Sequence, residues 1–143
     1  MESLKFDEGY KEYSINNDEN RIIRYNTTDM GVVDRINKAQ IEIEKIVEEM
    51  KEKNISAEST AEEIASAMEI ANTGVRKQID YIFNSKISDI AFEEQNCMSP
   101  VKGIPLYERF LESIIPTIQV DIDKENALTQ KRIKKYTDIT KKR

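Results

Sequence analysis

Apolar residues recur at alternating steps of three and four along two long stretches of this chain. The first reads Val32, Ile36, Ala39, Ile43, Ile46, Met50, and the second Ala61, Ile64, Met68, Ala71, Val75, Ile79, Ile82. Such spacing gathers the apolar positions into one seam on one side of each of two helices. The first helix is predicted near residues 29–53. Asn26-Thr27-Thr28-Asp29 supplies capping residues before it, and Lys51 and Lys53 close it as the helix dipole prefers. The second is predicted from Ser59-Thr60 to about Phe83. Ser59 with Glu62 and Thr60 with Glu63 form two overlapping capping boxes at its start. Gly74 interrupts it at roughly 1 kcal/mol relative to Ala. The connection is short, so an antiparallel helical hairpin is expected.

The flanks follow other rules. Residues 10–16 and 21–25 are β-rich pieces around polar Asn17-Asp-Glu-Asn20, which predicts a small β-hairpin over about 10–25 with its turn in that polar segment. A lone hairpin is marginal and must lean on a helix or on another subunit; Tyr10, Tyr13 and Tyr25 are its candidate packing residues, or the walls of a ligand pocket. Residues 86–94 predict one or two helical turns. Gln95 to Pro105 is punctuated by Pro100, Gly103 and Pro105 and reads as a loop. Leu106, Phe110, Leu111, Ile114 and Ile115 give the next helix a broad apolar face, which Pro116 is expected to end or kink. A last helix is expected over about 117–136. The fold class is therefore mainly α, a helical bundle with a small N-terminal β-hairpin. It forms one domain over 1–136, followed by a basic tail at 137–143 expected to be disordered.

Composition narrows the class. Charged residues make up 34 % of the 143 and apolar ones 38 %, a balance typical of elongated helical proteins with much surface per unit of core. The net charge is −5, but residues 131–143 carry +6, leaving −11 on the first 130. The basic end suits a helix C-terminus, or a contact with an acidic partner or a second copy. Nucleic acid fits less well, because the acidic body repels phosphate and no aromatics interleave the basic run. No apolar run approaches membrane-spanning length and residues 1–8 lack signal-peptide character, so no membrane partner and a cytoplasmic location are expected.

Candidate chemistry is sparse. With no histidine, the Ser-His and Cys-His nucleophile systems and the usual transition-metal ligand are missing. Cys97, the single cysteine, sits in the Pro/Gly loop without a nearby base. Asp121-Ile-Asp-Lys-Glu-Asn126 starts like a calcium loop, but Asn126 stands where Gly is needed and Arg132 where Glu is needed, which leaves a solvated helix face. Glu42, Glu44, Glu48, Glu49 and Glu52 form an acid run without the Glu-x-x-His of a carboxylate metal site. Neither a catalytic group nor a cofactor is expected. The apolar seams either pack against each other or stay open to another protein. For the second case the candidate partner-binding residues are Ile64, Met68, Ala71 and Val75 on one helix and Leu106, Phe110 and Ile114 on another.

Two segments carry a resemblance. Arg21-Ile-Ile-Arg-Tyr-Asn-Thr-Thr-Asp29 leading into a helix is similar to the short extended piece and Asn-x-Thr-Asp turn of the small tail assembly chaperones of long-tailed bacteriophages and related tail-like elements of Gram-positive bacteria. Ile79-Asp-Tyr-Ile-Phe-Asn84, Ala91-Phe92 and Met98-Ser-Pro-Val-Lys-Gly-Ile-Pro-Leu-Tyr-Glu-Arg-Phe-Leu-Glu-Ser-Ile-Ile-Pro116 resemble that family's glycine-containing loop and following Phe-Leu-x-x-Ile-x-Pro helix. The likeness covers about 20–36 and 79–136. Phe92-Glu-Glu-Gln-Asn-Cys97 departs from it, since members often carry Gly-rich sequence there. The resemblance implies a mostly helical, non-catalytic protein that binds the tape-measure protein during tail assembly, is absent from the finished particle, and self-associates in some cases. The alternative is a structural, oligomeric tail or coiled-coil scaffold subunit. A nucleic-acid-binding regulator using the basic C-terminus comes third.

Overall fold

The computed structural model describes residues 1–54 and 58–141, with the side chains of 54 and 136–141 left out of the description. Among the described residues the fold is mainly α, with a small antiparallel hairpin near the N-terminus. Strands β1 (Tyr10–Ile15) and β2 (Asp18–Asn26) pair antiparallel, Tyr13 opposite Ile23 and Lys11 opposite Tyr25. The turn is not at Asn17–Asn20 as the polar run predicted. It is Asn16-Asn17, both with positive φ (49° and 61°). Asparagine tolerates that left-handed region, and two such residues make the turn whose twist matches a hairpin. The polar residues that follow join β2, and the register slips between Ser14 and Ile15. Within β2, Ile23 and Tyr25 are buried while Ile22 is exposed, so the adjacent isoleucines face opposite ways.

Helix α1 (Val32–Asn54) begins about three residues later than predicted, because Asp29 forms a turn ahead of it. Its Oδ1 accepts from Gly31 N at 2.9 Å and its carbonyl from Val32 N at 3.1 Å. The Arg35 guanidinium, 2.6 Å from Asp29 Oδ2, holds that carboxyl below the usual range. Helix α2 (Ala61–Phe83) is N-capped by Thr60, whose Oγ1 accepts from Glu63 N at 3.1 Å. At its other end Asn84 adopts a left-handed C-cap. Ala39 and Ile43 of α1 and Ala71, Val75, Ile79 and Ile82 of α2 enter one buried cluster. Arg35 Nε donates to Ile82 O at 2.8 Å, and a Cβ on Gly74 would lie 2.9 Å from Ile46 Cδ1. Gly74 is thus a point of close approach between the two helices.

Asp80 organises the next segment. Its carboxylate accepts from Ile87 N, Ser88 N and Ser88 Oγ at 2.9, 2.8 and 3.0 Å, placing the short helix α3 (Ser88–Phe92) against the end of α2. Buried Asn72 accepts from Cys97 N at 2.8 Å. The predicted loop then contains two-residue strands, β3 (Pro100–Val101) and β4 (Ile104–Pro105), around Lys102-Gly103, both at positive φ. Tyr107 N donates to Cys97 O at 3.0 Å, so the anchored loop aims the helix that follows it.

That helix, α4, runs unbroken from Leu106 to Lys141. Pro116 does not end it, and the two predicted helices are one. Proline removes the bond to the carbonyl four residues back, here that of Glu112. Both residues are exposed, on a side of the helix where solvent can take the place of a lost helix bond. The helix also extends through most of the segment expected to be a disordered tail; residues 142 and 143 lie outside the described range. No helix among the described residues is long and apolar enough to cross a membrane.

Candidate functional site: a cleft between the hairpin and the start of α4

The hairpin lies along α4. Lys11 Nζ is 2.8 Å from Asp121 Oδ2, and Tyr25 Oη is 2.7 Å from Thr117 Oγ1. Tyr13 stacks on Tyr25 with centroids 5.5 Å apart, and Tyr25 meets Phe83 edge-on at 5.3 Å. Burial pushes the Tyr25 phenol up to about 12. Asp121 was expected on a solvated face. It is buried instead, where its Oδ2 is ion-paired with Lys11. Lys11 first, and Thr27 second, hold its carboxyl below the ordinary carboxylate value.

The hairpin's turn end does not close onto the first turns of α4. Between them is a cleft of about 340 Å³. Tyr13, Ile15 and Ile23 form its strand wall, Phe92 its floor from α3, and Leu106, Phe110 and Ile114 its α4 wall. Phe92 and Phe110 meet edge-on at 5.6 Å. Arg21 and Arg109 stand at the lining, and none of the described lining residues is acidic. Arg21 donates to Ile90 O at 3.1 Å and lies 3.2 Å from Glu93 Oε1. Arg109 donates twice to Val101 O, at 3.1 and 2.7 Å, and makes no ion pair with a described acid. In a chain with 27 acids, a cleft with no acidic lining residue, whose Arg109 makes no described ion pair while Arg21 is already paired with Glu93, favours neutral apolar occupants or ones that bring an acid to Arg109.

The candidate partner-binding residues divide. Leu106, Phe110 and Ile114 come together in this cleft, although Ile114 is itself buried. Ala71 and Val75 are sealed in the core shared by α1 and α2 and present no surface to a partner. Their small size serves close packing of the chain's own helices. Ile64 is exposed and Met68 half-buried, and neither lines the cleft. The phenylalanine floor and the arginine rim were not anticipated. Arg21 alternates with buried Ile23 and Tyr25 along β2, which puts it on the inward face, but its partners on α3 are some 70 positions distant in sequence and leave no local signal.

A wider, shallow groove passes over Asn72, Arg76, Asp80 and Asp89. Its polar groups are engaged internally: Arg76 bonds Asn72, Asp89, Glu93 and Gln95. Among the described residues no group of three or more potential ligands is placed to hold a metal ion. Compared with family models, curated proteins and solved structures, the chain matches none.

Proposed function

We propose that this protein is a non-catalytic, cytoplasmic binding protein, a phage tail assembly chaperone that takes an apolar segment of the tape-measure protein during tail building. The observation that carries this reading is the acid-free, aromatic-lined cleft and the origin of its walls. The two segments that resemble the chaperone family, 20–36 and 79–136, supply β2, α3 and the start of α4, which contribute most of the lining. The antiparallel helical hairpin expected for α1 and α2 would serve as the rigid support. A helical client would seat one large side chain per turn against Leu106 and Phe110.

Co-expression with the tape-measure protein tests this. Soluble tape-measure protein should rise and the two chains should co-purify. An unchanged yield with no co-purification would reject the chaperone role. A structural tail subunit is the second reading, favoured by the exposure of every residue from Asp123 to Lys135 on α4. Purified particles separate the two, since a structural subunit stays in them and a chaperone leaves.

A further inference from the structure

The two arginines of the cleft are not equally occupied. Arg21 donates from Nε to Ile90 O and from Nη2 to Ala91 O, and it is ion-paired with Glu93. Arg109 is held from one side only: its Nε and Nη2 both donate to Val101 O, at 3.1 and 2.7 Å. A guanidinium carries five N–H groups in a planar fork. The bonds to Val101 O take up the Nε side of that fork. Nη1 makes no hydrogen bond with a described residue, so the Nη1–Nη2 edge, whose spacing matches the two oxygens of a carboxylate, is open.

The contact that leaves this edge open also fixes it. Val101 belongs to β3, which pairs with β4 immediately before α4, Val101 opposite Ile104. The guanidinium is therefore oriented before any partner arrives, and binding adds little further cost of ordering it. Its neighbours on α4 decide what lies beside it. Leu106, Arg109, Phe110, Ser113, Ile114 and Thr117 all line the cleft, and their steps of three and four put them in one stripe. A stripe of this kind accepts a second helix, with large apolar side chains against Leu106 and Phe110 and a flanking side chain beside Arg109, as flanking charges pair across helical interfaces. A cation at that flank favours a carboxylate and disfavours a lysine. The chain's own apolar side chains before β1 leave the space unfilled: Leu4 is 93 % exposed and Phe6 75 % exposed.

We propose that Arg109 is the specificity residue of the cleft and reads an Asp or Glu on the partner helix, one turn from the large apolar side chain seated against Leu106 and Phe110. This inference rests on the reading of the cleft as a docking site and names the chemistry of the segment it takes.

Stapled, fluorescently labelled helical peptides test it on the unmodified full-length protein by anisotropy. Each carries Leu and Phe one turn apart. One pair differs only in Glu or Gln a turn before them, a second pair only in Glu or Gln a turn after. In one of the two pairs the Glu peptide should bind at least about fivefold more tightly than its Gln twin, a ratio that shrinks at high salt. A Lys peptide of the same pair should bind the parent most weakly and should become the best ligand of Arg109→Glu. The comparison of Glu with Gln on the parent stands even where that variant misfolds. Equal affinities within both pairs would overturn the proposal and leave the cleft as a docking site. Binding of none of the peptides would overturn it too, and tape-measure co-purification then decides separately whether the docking reading survives. Binding that appears only in a Leu4→Ser, Phe6→Ser variant would assign the cleft to the chain's own N-terminal segment and would equally overturn the proposal.

Discussion

Helices α2 and α4 carry apolar residues at the same three-and-four spacing, yet one seam is closed and the other half open. On α2, Ala71, Val75 and Ile79 are almost completely buried, while on α4 Leu106 and Phe110 keep part of their surface in the cleft. The difference lies in what faces each. The α2 seam meets α1, a helix of equal length, and small residues at Ala39, Ala71 and Gly74 let the two backbones close up. The α4 face meets a two-stranded sheet. That sheet is anchored by Lys11–Asp121 and Tyr25–Thr117, then stops at the Asn16-Asn17 turn, which leaves the start of α4 incompletely covered. Periodicity therefore tells which side of a helix is apolar; the length and kind of the opposing element decide whether that side remains available.

The largest expected effects separate the two seams. Ile79→Ala removes a fully buried side chain and should cost about 2–5 kcal/mol. Phe110→Ala should cost less, about 2 kcal/mol, because part of its surface is already outside the core. Binding should show the opposite order. At a temperature where both variants are folded, Ile79→Ala should retain tape-measure protein in co-purification and Phe110→Ala should lose most of it. Chemical denaturation and pull-down on the same preparations measure both quantities. Equal losses of binding would erase the distinction between a closed and an open seam.

The closed parts were legible because their signals are local. Thr60 and Glu63 cap α2 three residues apart, and the seam of α1 and α2 repeats within each helix. The open part was legible only along α4. Leu106, Phe110 and Ile114 could be found by spacing, but Phe92, Arg21 and Arg109 reach the cleft through tertiary contacts such as Asn72 with Cys97 and Asp80 with Ser88, which no period encodes. Pro116 misled for a related reason. Its local penalty is fixed, but packing of Ile114 and Ile118 on either side holds the helix through it. The polar run Asn17–Asn20 misled because two asparagines one step earlier already satisfy the turn.

A smaller effect probes how firmly the hairpin is held on α4. Burial pushes the Tyr25 and Tyr107 phenols to about 12 from an ordinary value of 10.0. The native state thus keeps protons that the unfolded chain releases. The stabilisation is fully present below about pH 10, where both states are protonated. It is lost as pH rises through the folded values near 12. Thermal denaturation from pH 8 to pH 12 should show a plateau and then a fall, shallower in Tyr25→Phe. At neutral pH that variant loses one hydrogen bond to Thr117 and should cost about 1 kcal/mol. A variant whose alkaline fall matches that of the parent would mean that the Tyr25 phenol is not shielded by the hairpin.

The smallest expected effect tests the closed seam at its tightest point. Gly74→Ala brings two opposed contributions. Alanine favours the helix by about 1 kcal/mol over glycine. Its Cβ would lie 2.9 Å from Ile46 Cδ1 and 3.5 Å from Ile46 Cγ1, so the isoleucine must give way. The atom in conflict is the far end of a half-buried side chain, which can turn without moving backbone. The two contributions should nearly cancel, leaving stability within about 0.5 kcal/mol of the parent. Gly74→Leu has no such escape and should cost about 1–3 kcal/mol by forcing α1 and α2 apart. A gain of the full propensity difference in Gly74→Ala would mean that the helices are not in contact at this residue, and the contrast between a sealed α2 and an open α4 would lose its physical basis.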